Sequence, residues 1–138
     1  MLKIDLAKLL IPKRSLTWSK LKEEDAICID FTQFLRLCTL QKDFPFLWFH
    51  VPNQFAYKQP IFGLKMSWLG RIAGMPDYVF LGKRSFAIEF KGAKGKQSPA
   101  QRTVQGWFES VEVPYYLARS SLEGQEIVKH EWEKLIEI

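Results

Sequence analysis

Two carboxylates and a lysine stand close together near the middle of this chain: Asp77, then Glu89 and Lys91. The runs Asp77-Tyr-Val-Phe-Leu81 and Ser85-Phe-Ala-Ile-Glu-Phe-Lys91 are rich in aromatic and β-branched residues, and Gly82-Lys83-Arg84 separates them. That pattern predicts a β-hairpin with a three-residue turn. Directly opposed residues in an antiparallel pair point to the same face of the sheet. If Leu81 faces Ser85 across the turn, Asp77 falls opposite Glu89, and Lys91, two residues on, shares their face. A bulge at the turn could shift the register, but a shift of two keeps the shared face.

Two carboxylates on rigid strands offer oxygen ligands to a hard cation such as Mg²⁺, which retains several waters when bound. Such an ion stabilises charge on a phosphate and favours deprotonation of a water. A neighbouring lysine can orient that water or support developing negative charge. The competing reading is an exposed cross-strand face of Asp, Glu and Lys, contributing a few tenths of a kcal/mol per pair.

The elements that must position these groups follow from periodicity. Ile27, Phe31, Phe34 and Cys38 recur at helical spacing in a segment that opens near Ser19, a candidate N-cap. Glu23, Glu24 and Asp25 sit in the early turns, where the helix dipole favours negative charge. Residues 1–18 read as irregular. The apolar run Phe46–Val51, closed by Pro52, reads as a strand buried on both faces. A short helical piece over Ile61–Leu69 ends at Gly70. Ser98-Pro99 opens a helix with Val104, Phe108 and Val111 on its apolar side, and Ser98-Pro-Ala-Gln101 has the form of a capping box. A strand over Val113–Ala118 and a last helix over about Gly124–Ile138 follow. The expectation is one α/β domain over residues 1–138, layered around a single sheet.

Composition sets the outer limits. At 138 residues the chain suits one domain with its own core, and its 47% apolar and 25% charged residues exclude disorder as the general state. The 11 Phe, 5 Trp and 4 Tyr imply a bulky core, a partner-facing surface, or both. A net charge of +5 suits a polyanionic partner without specifying one. Cys28 and Cys38 lie roughly 15 Å apart by helical rise, too far for a disulfide, and neither has a zinc-type partner spacing. Two reduced thiols in a cytoplasmic setting are expected. The charged N-terminus lacks the form of a signal peptide, and no run reaches the length of a membrane span. Gly92-Ala-Lys-Gly-Lys96 is a basic loop suited to a phosphate backbone; it departs from a Walker A loop in its glycine spacing and in the Gln that follows Lys96.

Pro76-Asp77, eleven intervening residues and Glu89-Phe90-Lys91 resemble the PD-(D/E)XK nuclease signature. The wider pattern of His50-Val-Pro-Asn53, Lys65, Gly70, Gly74-Met-Pro-Asp77, Glu89-Phe-Lys91 and Ser98-Pro-Ala-Gln101 resembles a VRR-NUC domain over roughly residues 19–120. The resemblance implies a restriction-endonuclease-like αβββαβ core, a mixed sheet flanked by helices. It implies Asp77, Glu89 and the Phe90 carbonyl as ligands of Mg²⁺ or Mn²⁺, with Lys91 catalytic and Gln101 beside the site. It further implies an acidic ligand on the first helix. Glu24, three residues before Ile27 on the apolar stripe, is preferred over Glu23. Asn53, Lys65, Arg71, Lys94, Lys96 and Ser98 become candidate DNA contacts. His50 reads either as a core histidine or as part of the site, and His130 as structural. Stand-alone domains of this family imply a homodimer that cleaves branched DNA such as Holliday junctions, leaving 5′-phosphate and 3′-hydroxyl ends. Flap, nicking or restriction-type cleavage on the same core is the alternative, as is a non-catalytic DNA-binding module.

Overall fold

A computed structural model describes residues 3–12, 21–52 and 60–137. Its described elements are α1 (Lys3–Leu10), α2 (Glu23–Thr39), β1 (Leu47–His50), α3 (Pro60–Trp68), β2 (Tyr78–Leu81), β3 (Phe86–Phe90), α4 (Pro99–Ser110), β4 (Tyr115–Ala118) and α5 (Ser121–Ile136). The strands form one mixed sheet in the order β1-β2-β3-β4, with β4 parallel to β3 and the other pairs antiparallel.

The hairpin has the expected register. Tyr78 pairs with Ile88, Val79 with Ala87 and Phe80 with Phe86. All five residues of β3 are buried, because a central strand is covered on both faces. Tyr78, Phe80, Phe86, Ile88 and Phe90 belong to a core cluster with Phe31, Leu35 and Cys38 of α2 and Val128 of α5. Each fully buried Phe there contributes about 1.5–3 kcal/mol relative to an exposed one. The alternate residues, Ala87 and Glu89 on β3 and Tyr115 on β4, face α4, whose Phe108 ring meets Tyr115 edge-on at 5.8 Å. The sheet is therefore layered between α2 and α5 on one side and α4 on the other.

Four expectations need correction. Residues 3–10 are helical rather than irregular; Leu6 and Leu10, four residues apart, are half-buried positions of α1, which lies against α2. Ser19 lies outside the described residues, and α2 opens later, with Lys22 at the N-cap and no side-chain cap. Its first turn relies on Glu23, Glu24 and Asp25 against the helix dipole. The apolar run 46–51 is not buried on both faces: β1 is an edge strand, with Leu47 61% and Phe49 44% exposed. An unbroken apolar run carries no alternation to show which face is covered. Finally, α5 begins at Ser121, capped by the Ser120 hydroxyl accepting from the Glu123 amide. Cys28 and Cys38 are free thiols. Among the described residues no helix is long and apolar enough to cross a membrane.

Candidate active site at the end of the β2–β3 hairpin

Asp77 precedes β2, and its position is set from three directions. Its carbonyl accepts from the Val51 amide at 2.8 Å, and its carboxylate Oδ2 accepts from the Phe90 amide at 2.7 Å. Upstream, Gly74 has φ +86°, and a Cβ there would lie 2.6 Å from the Ala100 carbonyl carbon. Only glycine combines that backbone conformation with so close an approach. The Gly74–Asp77 segment thus rests directly on the first turn of α4.

That turn carries Gln101, which serves two purposes at once. Its Oε1 accepts from the Ser98 amide at 2.8 Å, and the Gln101 amide donates back to Ser98 Oγ at 3.2 Å, completing the capping box. Its Nε2 donates to Glu89 Oε1 at 2.7 Å. Ser98 is fully accounted for by the cap. Gln101 uses one end of its amide for the helix and the other for the site.

Glu89 is 2% exposed and Lys91 8% exposed. Lys91 Nζ lies 3.6 Å from Glu89 Oε1, while Glu89 Oε2 is buried without a hydrogen-bond partner. Burial, followed by the nearby Asp77 charge, pushes the Glu89 carboxyl up to about 8; Lys91 pulls it down and Glu24 adds to the rise. Burial also raises the Asp77 carboxyl. The Phe90 amide, His50 and Lys91 oppose that rise, and Glu24 reinforces it.

The first-helix carboxylates both reach this region. Glu23 Oε1 accepts from the Ala93 amide at 3.2 Å, and Glu24 Oε1 lies 3.5 Å from the Gly92 amide. With Lys22, Gly92, Lys94 and Gly95 they line a cleft past the end of β3. Glu24 is the one whose charge acts on both Asp77 and Glu89.

The remaining candidates are more dispersed. Asn53 lies outside the described residues. Lys65 is exposed on α3, Arg71 is half-buried after it, and Lys96 is exposed on the loop before α4. His50 is exposed rather than core, with its ring 5.1 Å from that of Tyr78. His130 is exposed on α5. Two residues carried no sequence signal. Arg119 Nη1 donates to the carbonyls of Gly92 at 2.7 Å and Gly95 at 2.8 Å, a contact created only when β4 is laid beside β3. Tyr115, on the Glu89 face, buries its hydroxyl beside the Gln97 side chain, whose amide nitrogen donates to Gln105 Oε1 at 2.9 Å.

Among the described residues no three His, Cys, Asp or Glu side chains are gathered into a ready-made metal cage. The donor set nevertheless fits a hard divalent cation that keeps most of its water. Such ions need one or two carboxylates, and Glu89 Oε2 is a buried carboxylate oxygen with no hydrogen-bond partner. The chain matches no family model, no curated protein and no solved structure. The site's own geometry therefore carries the functional argument.

Proposed function

We propose that this chain is a Mg²⁺- or Mn²⁺-dependent endodeoxyribonuclease built on a restriction-endonuclease-like core of the VRR-NUC type. The observation that carries the reading is Glu89: a buried carboxylate with one oxygen unpartnered, set among Asp77, Lys91 and Gln101. Buried polar side-chain atoms are in large majority hydrogen-bonded, so an unpaired carboxylate oxygen at this position supports a group that binds there. The order α2-β1-β2-β3-α4-β4, with α3 in the β1–β2 connection, accords with an αβββαβ core.

In this reading Asp77, Glu89 and the Phe90 carbonyl hold the cation, with Glu24 reaching it from α2. The ion, when bound, supplies charge neutralisation at the scissile phosphate and a lower barrier to deprotonating water. Gln101 fixes the Glu89 carboxylate by its 2.7 Å hydrogen bond. Lys91 orients the attacking water and stabilises charge on the phosphate oxygens. The water oxygen bonds to phosphorus as the bond to the 3′ oxygen breaks, giving a 5′-phosphate and a 3′-hydroxyl. Lys94 and Lys96, with Lys65, Arg71 and Asn53, are the proposed contacts to the DNA backbone, while Ser98 serves as the cap of α4.

The proposed substrate is branched DNA, cut by a homodimer. Paired incisions need two active sites, which a two-fold dimer supplies. Helix α3 offers a surface for it: no residue of α3 is buried, and it exposes Ile61, Phe62, Leu64, Met66 and Trp68, the last by 85%. With Leu69 and Ile72 these present on the order of 800 Å² of apolar surface, about one side of a standard interface.

The test is a substrate panel of four-way junction, flap and linear duplex, with Mg²⁺ or EDTA, beside light scattering. Metal-dependent junction cleavage by a dimer is expected, with Asp77→Asn inactive but still binding DNA. A strict monomer that cuts flaps or nicks duplex points to the single-strand incision alternative. DNA binding without cleavage at any metal concentration would leave a non-catalytic binding module.

A further inference from the structure

We infer that Arg119 is a positioning residue of the site, clamping the Gly92–Gly95 loop so that the loop's amides face the first-helix carboxylates. The inference rests on the nuclease reading above for its consequence in catalysis, but not for the clamp itself.

The loop leaves β3 immediately after Lys91 and is held from two opposite sides. On its carbonyl side, one Arg119 nitrogen bridges Gly92 O at 2.7 Å and Gly95 O at 2.8 Å. On its amide side lie Glu23 Oε1, 3.2 Å from the Ala93 amide, and Glu24 Oε1, 3.5 Å from that of Gly92. The fit on this side is close. A Cβ on Gly92 would lie 2.6 Å from Glu23 Oε2; one on Gly95 would lie 3.2 Å from Glu24 Oε1 and 3.4 Å from Lys91 Cδ. Within the loop, the Gly95 amide donates to Gly92 O at 3.1 Å, closing a tight turn.

Arg119 is itself fixed. It follows Ala118, whose carbonyl accepts from the Lys91 amide at 2.9 Å, and its own amide donates to Glu123 Oε2 at 2.7 Å on the first turn of α5. The guanidinium therefore reaches the loop from a backbone anchored to the same strand end that carries Lys91. A turn with two glycines, both of whose carbonyls are held by one cation, has little freedom to rotate its amides away. Without the clamp, Gly92 and Gly95 recover the broad backbone freedom of glycine, and Glu23 and Glu24 lose the amides that oppose their charge. Glu24 would then lose the Gly92 amide, 3.5 Å from its Oε1, that helps to hold it on the site side of α2. If Asp77 and Glu89 hold a cation with help from Glu24, the loss should register in cation affinity rather than in DNA affinity.

The experiment compares the full chain with Arg119→Met, which keeps the apolar stem, and with Arg119→Lys, which keeps a donor. Three quantities are read: amide hydrogen exchange at residues 92–95, Mn²⁺ affinity by calorimetry, and Mg²⁺ dependence of DNA cleavage. Arg119→Met should expose the 92–95 amides to faster exchange while the melting transition persists. Mn²⁺ affinity should fall about tenfold, part of what the two lost charge-assisted hydrogen bonds contribute. The Mg²⁺ needed for half-maximal cleavage should rise by a similar factor, with KM for DNA little changed, and Arg119→Lys should recover part of both. Unchanged exchange in Arg119→Met would overturn the clamp. Faster exchange with unchanged Mn²⁺ affinity would make Arg119 a loop fastener and overturn its positioning role. If the wild type binds Mn²⁺ but cleaves no DNA, the nuclease reading falls, while exchange and calorimetry still decide the role of Arg119.

Discussion

Replacing Glu89 by glutamine should stabilise the metal-free protein, and increasingly so as pH rises. The Glu89 carboxyl is raised from 4.5 to about 8 by burial and by the Asp77 charge. Below pH 4.5 the group is protonated in both the folded and unfolded states and costs nothing. Between there and about pH 8 the unfolded chain releases the proton while the native site retains it, so the native state binds more protons and stability falls as pH increases. Above about 8 the native group ionises too and the penalty levels off near 5 kcal/mol. Glutamine is close in shape, is always neutral, keeps an oxygen for the Gln101 amide, and removes that slope. The gap between variant and wild type should thus be near zero at the acid end and reach several kcal/mol at the alkaline end. Urea denaturation in EDTA across this range measures it. Mg²⁺ should then narrow the gap, since an ion at about a hundred times its Kd adds about 2.7 kcal/mol to the state that binds it. A gap that does not change with pH would refute the claim that Glu89 is held protonated. A gap that Mg²⁺ leaves untouched would refute its assignment as a ligand.

Two further outcomes follow from the same geometry. Glu24→Gln should reduce cleavage much more than Glu23→Gln, because of the two it is Glu24 whose charge raises both Asp77 and Glu89; the reverse order in single-turnover assays would make Glu23 the site residue. Gly74→Ala should destabilise the fold by about 2–4 kcal/mol, since its Cβ would meet the Ala100 backbone at 2.6 Å at a positive φ. A melting temperature within a degree or two of wild type would show that the Gly74–Asp77 segment is free to move off α4.

How much of this was legible in the sequence depended on how local each feature is. The hairpin register could be read because turn length and alternation together set it, and pairing of Tyr78 with Ile88 follows. The Ser98–Gln101 box spans three residues and was equally readable. The edge position of β1 was not, because an apolar run without alternation looks the same in a central strand and at a margin. Arg119 was invisible for another reason: its partners lie 27 and 24 residues away, and only the parallel pairing of β4 with β3 brings them within reach. The opening of α2 was misplaced because a serine near a helical pattern resembles a cap, while Lys22 gives no side-chain signal at all.

The spacing Glu89-Phe90-Lys91 makes the site and the core interdependent in a way that neither explains alone. Alternation sends Glu89 and Lys91 to the α4 side and Phe90 to the opposite layer, where its ring lies 4.8 Å from Phe31 and 5.8 Å from Tyr78. The Phe90 amide, meanwhile, is the donor that holds the Asp77 carboxylate. One residue thus fixes the separation of the two acidic side chains through its backbone and anchors β3 through its side chain. The room for that ring comes from α5. A Cβ at Gly124 would lie 2.6 Å from Phe90 Cζ and 3.0 Å from Phe31 Cδ1. Gly124, which from sequence marks only the neighbourhood of a helix start, is therefore the position on α5 that lets it close over Phe90. A methyl group there must displace either the helix or the ring, and displacing the ring carries the Phe90 amide with it. The geometry of Asp77 and Glu89 consequently depends on a glycine on the other side of the sheet from Glu89, packed against Phe90 and Phe31.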